Sequence, residues 1–371
     1  MHKTLGILGG GQLGRMMIAP CIDLGVEVHF LDPNPQCSVS EFTSHLTVGD
    51  FKDFETVLAF GRTVDVITVE IEHVNVDALE QLEKEGKNVN PSSQLLRTIQ
   101  DKGMQKQFYV EAGVISPDFK LIEGVSEITE FPIVQKMRTG GYDGQGVQIL
   151  KTKADIERAF DVASVLEALV DLEMEIGVMV ARNQQGEVQV FPPVSMDFDP
   201  DLNLVKYVVC PAQISEELNN KCVQLAKSVA DKFELVGIMA VELFVTKLGE
   251  VLVNECAPRV HNSGHLTIEG TSISQFEMHV RAVLGLPLPP VMITQPSVMV
   301  NLVGEPGYTG SPQLKNMDSV LAEPGIFLHW YGKNQTRPGR KMAHVTVVRN
   351  TVEKAKAVAN EVLEKLQVIS D

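Results

Sequence analysis

No two of the five cysteines (Cys21, Cys37, Cys210, Cys222 and Cys256) stand in a C-x-x-C pair, and their odd number and wide spacing do not make a disulfide framework. Buried thiols in a reducing, cytoplasmic setting are the expectation. No apolar run comes near the roughly 18 residues that a membrane-crossing helix requires, so no membrane role is expected. The opening Met1-His2-Lys3-Thr4 passes straight into a short apolar stretch ending in glycines, too brief for a signal-peptide core. Basic residues are scarce: 32 Lys and Arg face 48 Asp and Glu, a net charge of -16. That balance excludes roles resting on neutralised phosphate backbones, and nucleic acid with them. An acidic chain can still hold an anionic nucleotide if Mg2+ and a few placed Lys or Arg residues reverse the field locally.

What remains is ordinary globular material, 44% apolar and 22% charged, without low-complexity tracts. At 371 residues the chain exceeds the size at which one core stops growing, so two or three domains with a cleft between them are expected. Residues 5–8 read as a strand, Gly9 to Gly14 as a turn, and Met16, Met17 and Ile18 as the start of a helix. Further strands at 26–31 and 64–69 end at acidic residues, and their alternation with helices implies a parallel sheet with covering helices. A polar helical stretch with Asp101, Lys102 and Lys106 links this N-terminal unit, residues 1–103, to the next. A helix pattern at 215–233 leads into a hairpin, and Leu286-Pro287-Leu288-Pro289-Pro290 is a stiff break that opens a C-terminal unit, residues 291–371.

Gly9-x-Gly11-x-x-Gly14 between strand and helix, with Asp32 at ribose-holding distance in sequence, fits a dinucleotide fingerprint and makes an NAD-dependent dehydrogenase the alternative from another class. Physically the motif says less: its glycines let backbone amides at a helix N-terminus approach an anion, whichever anion that is. A second glycine-rich loop, Thr139-Gly140-Gly141-Tyr142-Asp143-Gly144-Gln145-Gly146, lies between two strand-like flanks. It is no Walker A loop, because the Gly-Lys pairs of this chain, Gly86-Lys87 and Gly332-Lys333, are each followed by Asn. A hairpin tip of this kind can fold over a triphosphate and exclude water, with Lys136 on the entering strand neutralising phosphate.

Residues 241–245 and 251–255 flank Thr246-Lys247-Leu248-Gly249-Glu250, so a hairpin is expected. A two-residue turn at Leu248-Gly249 sets Lys247 against Glu250 and, counting outward, Glu242 against Glu255. A bulge in the turn would instead set Glu242 against Asn254. Opposed carboxylates repel and raise one pKa unless a cation lies between them, and Mg2+, with Asn254 completing the oxygen set, meets that demand. The following run Arg259-Val260-His261-Asn262-Ser263-Gly264-His265 is dense in donors. Its two histidines four apart do not make a zinc helix, since Asn262, Ser263 and Gly264 favour a loop.

At this point the chain resembles a known family. Gly11-Gln12-Leu13-Gly14-Arg15-Met16, Arg138-Thr139-Gly140-Gly141-Tyr142-Asp143-Gly144, Asn254-Glu255-Cys256-Ala257-Pro258-Arg259-Val260-His261-Asn262-Ser263-Gly264-His265 and the basic segment from Tyr331-Gly332-Lys333 through Arg337-Pro338-Gly339-Arg340-Lys341 together look like the 5-(carboxyamino)imidazole ribonucleotide synthetases of the ATP-grasp superfamily. The resemblance implies an α/β fold in three parts: an N-terminal parallel-sheet (pre-ATP-grasp) domain, a central ATP-grasp domain over 104–290 with a small lid subdomain at about 115–180, and a small C-terminal domain. It implies a homodimeric ligase of purine biosynthesis. With two Mg2+ ions, ATP would phosphorylate bicarbonate to carboxyphosphate, which carboxylates 5-aminoimidazole ribonucleotide and leaves ADP and phosphate. A formate-using ATP-grasp ligase is the alternative within the class.

Carried over by the same resemblance, the ATP site comprises Lys102, Lys136, Gly141, Tyr142, Asp143, Gly144, Gln145, Gly146, Val147, Glu167, Val170, Glu175, Asn254 and Glu255. Glu167 and Val170 would meet adenine, Glu175 ribose, and Lys102 and Lys136 the phosphates. Glu242 and Glu255 would hold the metal. The ribonucleotide would lie among Gln12, Leu13, Glu72, Tyr142, Asp143, Arg259, His261, Lys333 and Arg340, whose cations suit its phosphate. Lys136, Asp143, Arg259, Lys333 and Arg340 would act on the reacting groups.

Overall fold

The computed structural model of the chain describes residues 3–141, 146–199 and 204–370. The N-terminal apolar segments become a wholly parallel sheet: β1 (Thr4–Leu8), β2 (Glu27–Asp32), β3 (Leu46–Val48), β4 (Val66–Val69) and β5 (Asn88–Val89), in the order β3-β2-β1-β4-β5. Leu5, Ile7, Leu8, Phe30, Leu31 and Ile67 are fully buried, as strands covered on both faces require. The sequence pattern indicates β1, β2 and β4. At 3 and 2 residues, β3 and β5 are too short to carry a period. Helix α1 (Gln12–Asp23) follows the glycine turn directly.

Asp101 begins the helix Lys102–Ala112, its carboxylate accepting the amides of Gly103 and Met104, and Gly113 ends that helix with φ +64. The same carboxylate pairs with Arg138, Oδ1 at 2.9 Å from Nε and Oδ2 at 2.7 Å from Nη2. The helix is thereby tied to an antiparallel sheet of β6 (Phe119–Ile122), β7 (Ile133–Met137), β8 (Val147–Leu150) and β9 (Ser164–Ala168), ordered β6-β9-β7-β8. The second glycine-rich segment joins β7 to β8, as its strand-like flanks imply.

The largest sheet is built from β10 (Leu172–Arg182), β11 (Val188–Val190), β12 (Val194–Asp199), β13 (Leu204–Cys210), β14 (Gly237–Thr246), β15 (Val251–Ala257) and β16 (Ser297–Val303). Beyond β17 (Pro312–Lys315) it takes in β18 (Ile326–Trp330) and β19 (Lys341–Val348), and β20 (Gln367–Ser370) pairs with β17 in a separate two-stranded sheet. Helix Glu216–Lys232, capped by the Ser215 side chain, buries Cys222, Ala226, Val229 and Ala230 against β10 and β14. The helix Gln275–Leu284 stops at Gly285, φ +71, immediately before the proline-rich break. The break follows that helix, and the first strand beyond it, β16, joins an existing sheet. β16 pairs with β13 from Tyr207↔Val300 to Cys210↔Ser297, so the C-terminal strands β16, β19 and β18 extend the central sheet. All five cysteines are buried and unbonded, and among the described residues no helix is long and apolar enough to cross a membrane.

Candidate functional site

The hairpin of β14 and β15 carries the opposed carboxylates, and it does so by two irregularities that cancel. The turn is longer than the two-residue turn expected. The Thr246 amide donates to Glu250 O, and the loop 247–249 ends on Gly249 at φ +78. Val245 therefore faces Val251 and Phe244 faces Leu252, a register that would set Glu242 against Asn254. A bulge at Asn254 restores the lost residue, and Glu242 pairs with Glu255. The bulge also re-aims Asn254, whose Oδ1 accepts Lys136 Nζ at 2.8 Å.

Charge around this pair is sharply divided. Lys102 Nζ lies 2.5 Å from Glu255 Oε2. Lys102 first, with Lys136 assisting, holds the Glu255 carboxyl far below its ordinary range against the opposing effect of burial. Glu242 moves the other way, because burial and then the charges of Glu255 and Glu175 favour its neutral form. Glu175, on the adjacent strand β10, is pushed up to about 7, chiefly by desolvation. One wall of the site is thus short of positive charge and the other is rich in it.

The rich wall contains a residue that the sequence reading leaves without a role. Lys106, 1% exposed, lies 3.2 Å from Glu167 Oε1 and donates to Ser116 Oγ and the Pro117 carbonyl. Lys136 Nζ approaches the other oxygen, Glu167 Oε2, at 2.8 Å. Glu167 is thus a buried bridge between two lysines. Its carboxylate is engaged internally, and the chain just beyond it, Ala168 and Leu169, is exposed and leads to the half-buried Val170. The signal for Lys106 was its spacing: it is four residues beyond Lys102 and shares its helix face.

The lid loop is described at its base. Gly141 and Gly146 approach each other so closely that a Cβ on Gly146, itself at φ +83, would lie 3.1 Å from Gly141 Cα. Met137 donates its amide to Gly146 O, and Val147 faces Lys136 across the strand pair. Tyr142, Asp143, Gly144 and Gln145 lie outside the described residues.

The first glycine loop is filled from within. Glu70, at the end of β4, accepts Gly11 N through Oε1 and Gly14 N through Oε2, both at 2.7 Å, and Asp32 Oδ2 accepts Gly10 N at 2.7 Å. Cβ atoms on Gly9 and Gly11 would each fall 2.5 Å from the Glu70 side chain. These glycines admit a protein carboxylate where a dinucleotide site would admit pyrophosphate. Asp32 uses its second oxygen to accept Asn34 N, so both of its oxygens are engaged by the backbone of the loops around it. The amides of Gln12 and Leu13 are the remaining donors of the α1 N-terminus.

Of the other predicted residues, Arg259 and His261 lie near these carboxylates, and Lys333 and Arg340 lie in the C-terminal basic segment. Arg259 Nε is 3.1 Å from Glu72 Oε1, and Glu72 in turn adds to the field on Lys102. His261 Nδ1 is 2.9 Å from Ser263 Oγ, and its Nε2 is 3.8 Å from Glu242 Oε1. Lys333 Nζ donates to Lys341 O and stacks over Tyr331, and Arg340 donates to Gln335 O. Arg340 is lowered from its ordinary pKa by burial and by its neighbour Arg337. The C-terminal basic segment meets the N-terminal unit through Asn334, which donates to Gln36 Oε1 at 2.8 Å. Lys341 acts on Glu242. Two oxygen ligands set opposite each other, one of them destabilised as an anion, suit a hard divalent cation of the Mg2+ type. An ammonium already lies against one of those ligands.

Residues 1–100 match the ribonucleotide synthetase preATP-grasp domain, residues 107–276 the ATP-grasp domain, and residues 297–358 the phosphoribosylaminoimidazole carboxylase C-terminal domain. The chain is similar to the N5-carboxyaminoimidazole ribonucleotide synthase of Synechococcus elongatus, with 35% identity over 93% of this chain and 89% of the relative. It is 37% identical to the chloroplastic phosphoribosylaminoimidazole carboxylase of Vigna aconitifolia over 94% of its own length, but spans 64% of that protein. It spans 37% of the bifunctional purine synthesis protein of Dictyostelium discoideum, at 34% identity over 93% of this chain. The crystal structure of N5-carboxyaminoimidazole ribonucleotide synthetase from Thermotoga maritima superposes with a TM-score of 0.92 at 42% identity, covering 100% of both chains. An Aspergillus clavatus N5-carboxyaminoimidazole synthase, solved with ADP and 5-aminoimidazole ribonucleotide, gives 0.86 at 31% identity over 98% of each.

Proposed function

The chain belongs to the N5-carboxyaminoimidazole ribonucleotide synthetase family of ATP-grasp ligases, and we propose that it uses ATP and bicarbonate to carboxylate the amine of 5-aminoimidazole ribonucleotide, a step of purine biosynthesis. The observation that carries this reading is the pairing of Glu242 with Glu255 beside Lys102 and Lys136, in a chain that also supplies the cations Arg259, Lys333 and Arg340. The first group suits a metal-bound triphosphate and the second a ribonucleotide phosphate.

In this reading a bicarbonate oxygen attacks the γ-phosphorus of ATP, the bond to ADP breaks, and carboxyphosphate forms. It then yields carbon dioxide to the ribonucleotide amine and releases phosphate. Lys102 and Lys136 stabilise charge on the transferring phosphoryl group, and they are already drawn to that place by Glu255, Asn254 and Glu167. Glu242 and Glu255 would hold Mg2+, two ions being the number the family resemblance implies, and the cation would supply further charge stabilisation on the phosphates. The chain at 168–170, exposed at Ala168 and Leu169, reads adenine through its backbone, and Glu175 takes the ribose. Arg259, held by Glu72, and Lys333 and Arg340 grip the ribonucleotide phosphate, with His261, Gln12 and Leu13 around it. The enzyme acts as a homodimer in the cytoplasm, which sedimentation and cell fractionation would check. ADP release is the test of the reaction: it should require Mg2+, bicarbonate and the aminoimidazole ribonucleotide together. Turnover with formate and none with bicarbonate would refute the substrate assignment.

A further inference from the structure

Away from the cleft, two imidazoles and a carboxylate converge on the outer side of the N-terminal sheet. Glu27 and His29 lie two apart on β2, hence on one face, and His45 precedes β3, the neighbouring strand. The rings of His29 and His45 stack with centroids 4.4 Å apart and planes 12° from parallel. Their Nε2 atoms lie 2.8 Å and 3.6 Å from the same oxygen, Glu27 Oε1. Tetrahedral zinc, with bonds of about 2.0–2.2 Å to nitrogen and oxygen, spaces its ligand atoms about 3.4 Å apart, a value that these two distances bracket.

We propose that Glu27, His29 and His45 form a site for one transition-metal cation of the zinc type, separate from the Mg2+ carboxylates. Imidazole nitrogen excludes Mg2+ from it, since that ion demands oxygen. The site's consequence follows from what lies between its ligands. Connection 33–45 leaves β2 and returns at His45, and on the way Val39 donates its amide to Gly10 O and Gln36 accepts Asn334. A cation bridging β2 and His45 closes this connection at its base and lowers the entropy of its open states.

The experiment is calorimetric titration of zinc chloride into the chelator-stripped full chain, saturated with MgADP so that Glu242 and Glu255 are engaged. The cysteines are buried and do not compete. Wild type should bind one equivalent, with His29→Ala and His45→Ala weakening it at least about tenfold, or ~1.4 kcal/mol. His45→Gln should behave likewise, and magnesium-supported ADP release should be unchanged in all three. Equal zinc binding in wild type and variants, or none in wild type, overturns the proposal.

A second inference rests on a different observation and on the functional reading above. Gln275 is fully buried, and its carboxamide spans the backbone of His261: Oε1 accepts His261 N at 2.9 Å and Nε2 donates to His261 O at 2.7 Å. Nε2 also lies 3.2 Å from His265 Nδ1. Gly264 makes room for it, since a Cβ there would sit 2.5 Å from Gln275 Oε1. We infer that Gln275 is a positioning residue, fixing the main chain that aims the His261 imidazole at Glu242 and the ribonucleotide. Gln275→Met should raise KM for the aminoimidazole ribonucleotide about tenfold and leave KM for MgATP within about twofold, a loss of ~1.4 kcal/mol in one substrate alone. In a His261→Ala background the same change should add nothing further. A full additional effect in that background overturns the positioning role, as does equal damage to both KM values. A wild type without ribonucleotide-dependent turnover would instead refute the reading beneath it.

Discussion

Glu70 holds the amide of Gly11 at 2.7 Å, in the position where a glycine-rich helix start ordinarily receives the phosphate of a ligand. Burial pushes the Glu70 carboxyl up while the amides of Gly14 and Gly11 pull it down. The contact leaves no room for a side chain at Gly11. Gly11→Ala should therefore destabilise the protein by about 1–3 kcal/mol, read as a lower urea midpoint. It should also raise KM for the ribonucleotide by displacing Gln12 and Leu13. Titration with NADH should show no binding in either protein, and micromolar NADH affinity in wild type would return the dinucleotide reading.

Lys106 should matter to stability more than its place in a polar helix suggests. Lys106→Met removes one of two cations from a carboxylate that is 3% exposed, at a cost of about 2–4 kcal/mol. Lys136 would then alone satisfy Glu167, so KM for ATP should rise as well. Denaturant unfolding and initial rates at varied ATP check both, and an unchanged unfolding midpoint would remove Lys106 from the buried network.

Glu175 predicts a pH dependence of stability in protein free of metal and nucleotide. Its carboxyl keeps a proton up to about pH 7 when folded, against an ordinary value of 4.5. Between those values the folded state binds more protons than the unfolded one, so stability falls as pH rises. The contribution is on the order of 1–2 kcal/mol after solvent screening. Glu175→Gln should flatten the slope of melting temperature between pH 4.5 and 7. A slope that is the same in the variant would assign the effect elsewhere.

Much of this site was legible in local pattern. Lys136 before a glycine-rich loop and the donors from Arg259 to His265 each show in a few adjacent residues. The hairpin register was reached through an assumption that fails: the turn carries an extra residue, and the bulge at Asn254 compensates it. A single chain has no pattern that marks a bulge inside a strand. The roles of Glu70 and Lys106 are not legible in the sequence for another reason. Glu70 meets Gly11 across 59 residues, and Lys106 meets Glu167 across 61, so their partners are set by the tertiary fold. The continuation of the central sheet through β13 and β16 escaped for the same reason, since proline signals a local stop and says nothing of later pairing.

Lys333→Ala separates the two ligand sites. The ammonium stacks on Tyr331 within the C-terminal basic segment. Loss of one charge-assisted phosphate contact should raise the ribonucleotide requirement roughly tenfold or more, ~1.4 kcal/mol, with ATP binding little changed. Equal weakening of both ligands would place Lys333 on the nucleotide side.

The most direct measurement follows the oxygen of bicarbonate. If carboxyphosphate forms, the attacking oxygen stays with phosphorus when carbon dioxide leaves. With 18O-labelled bicarbonate, ATP, Mg2+ and 5-aminoimidazole ribonucleotide, mass spectrometry of the released phosphate should find one label oxygen per phosphate, formed in step with the carbamate product. Phosphate carrying oxygen from water alone, with no labelled product, would contradict the account.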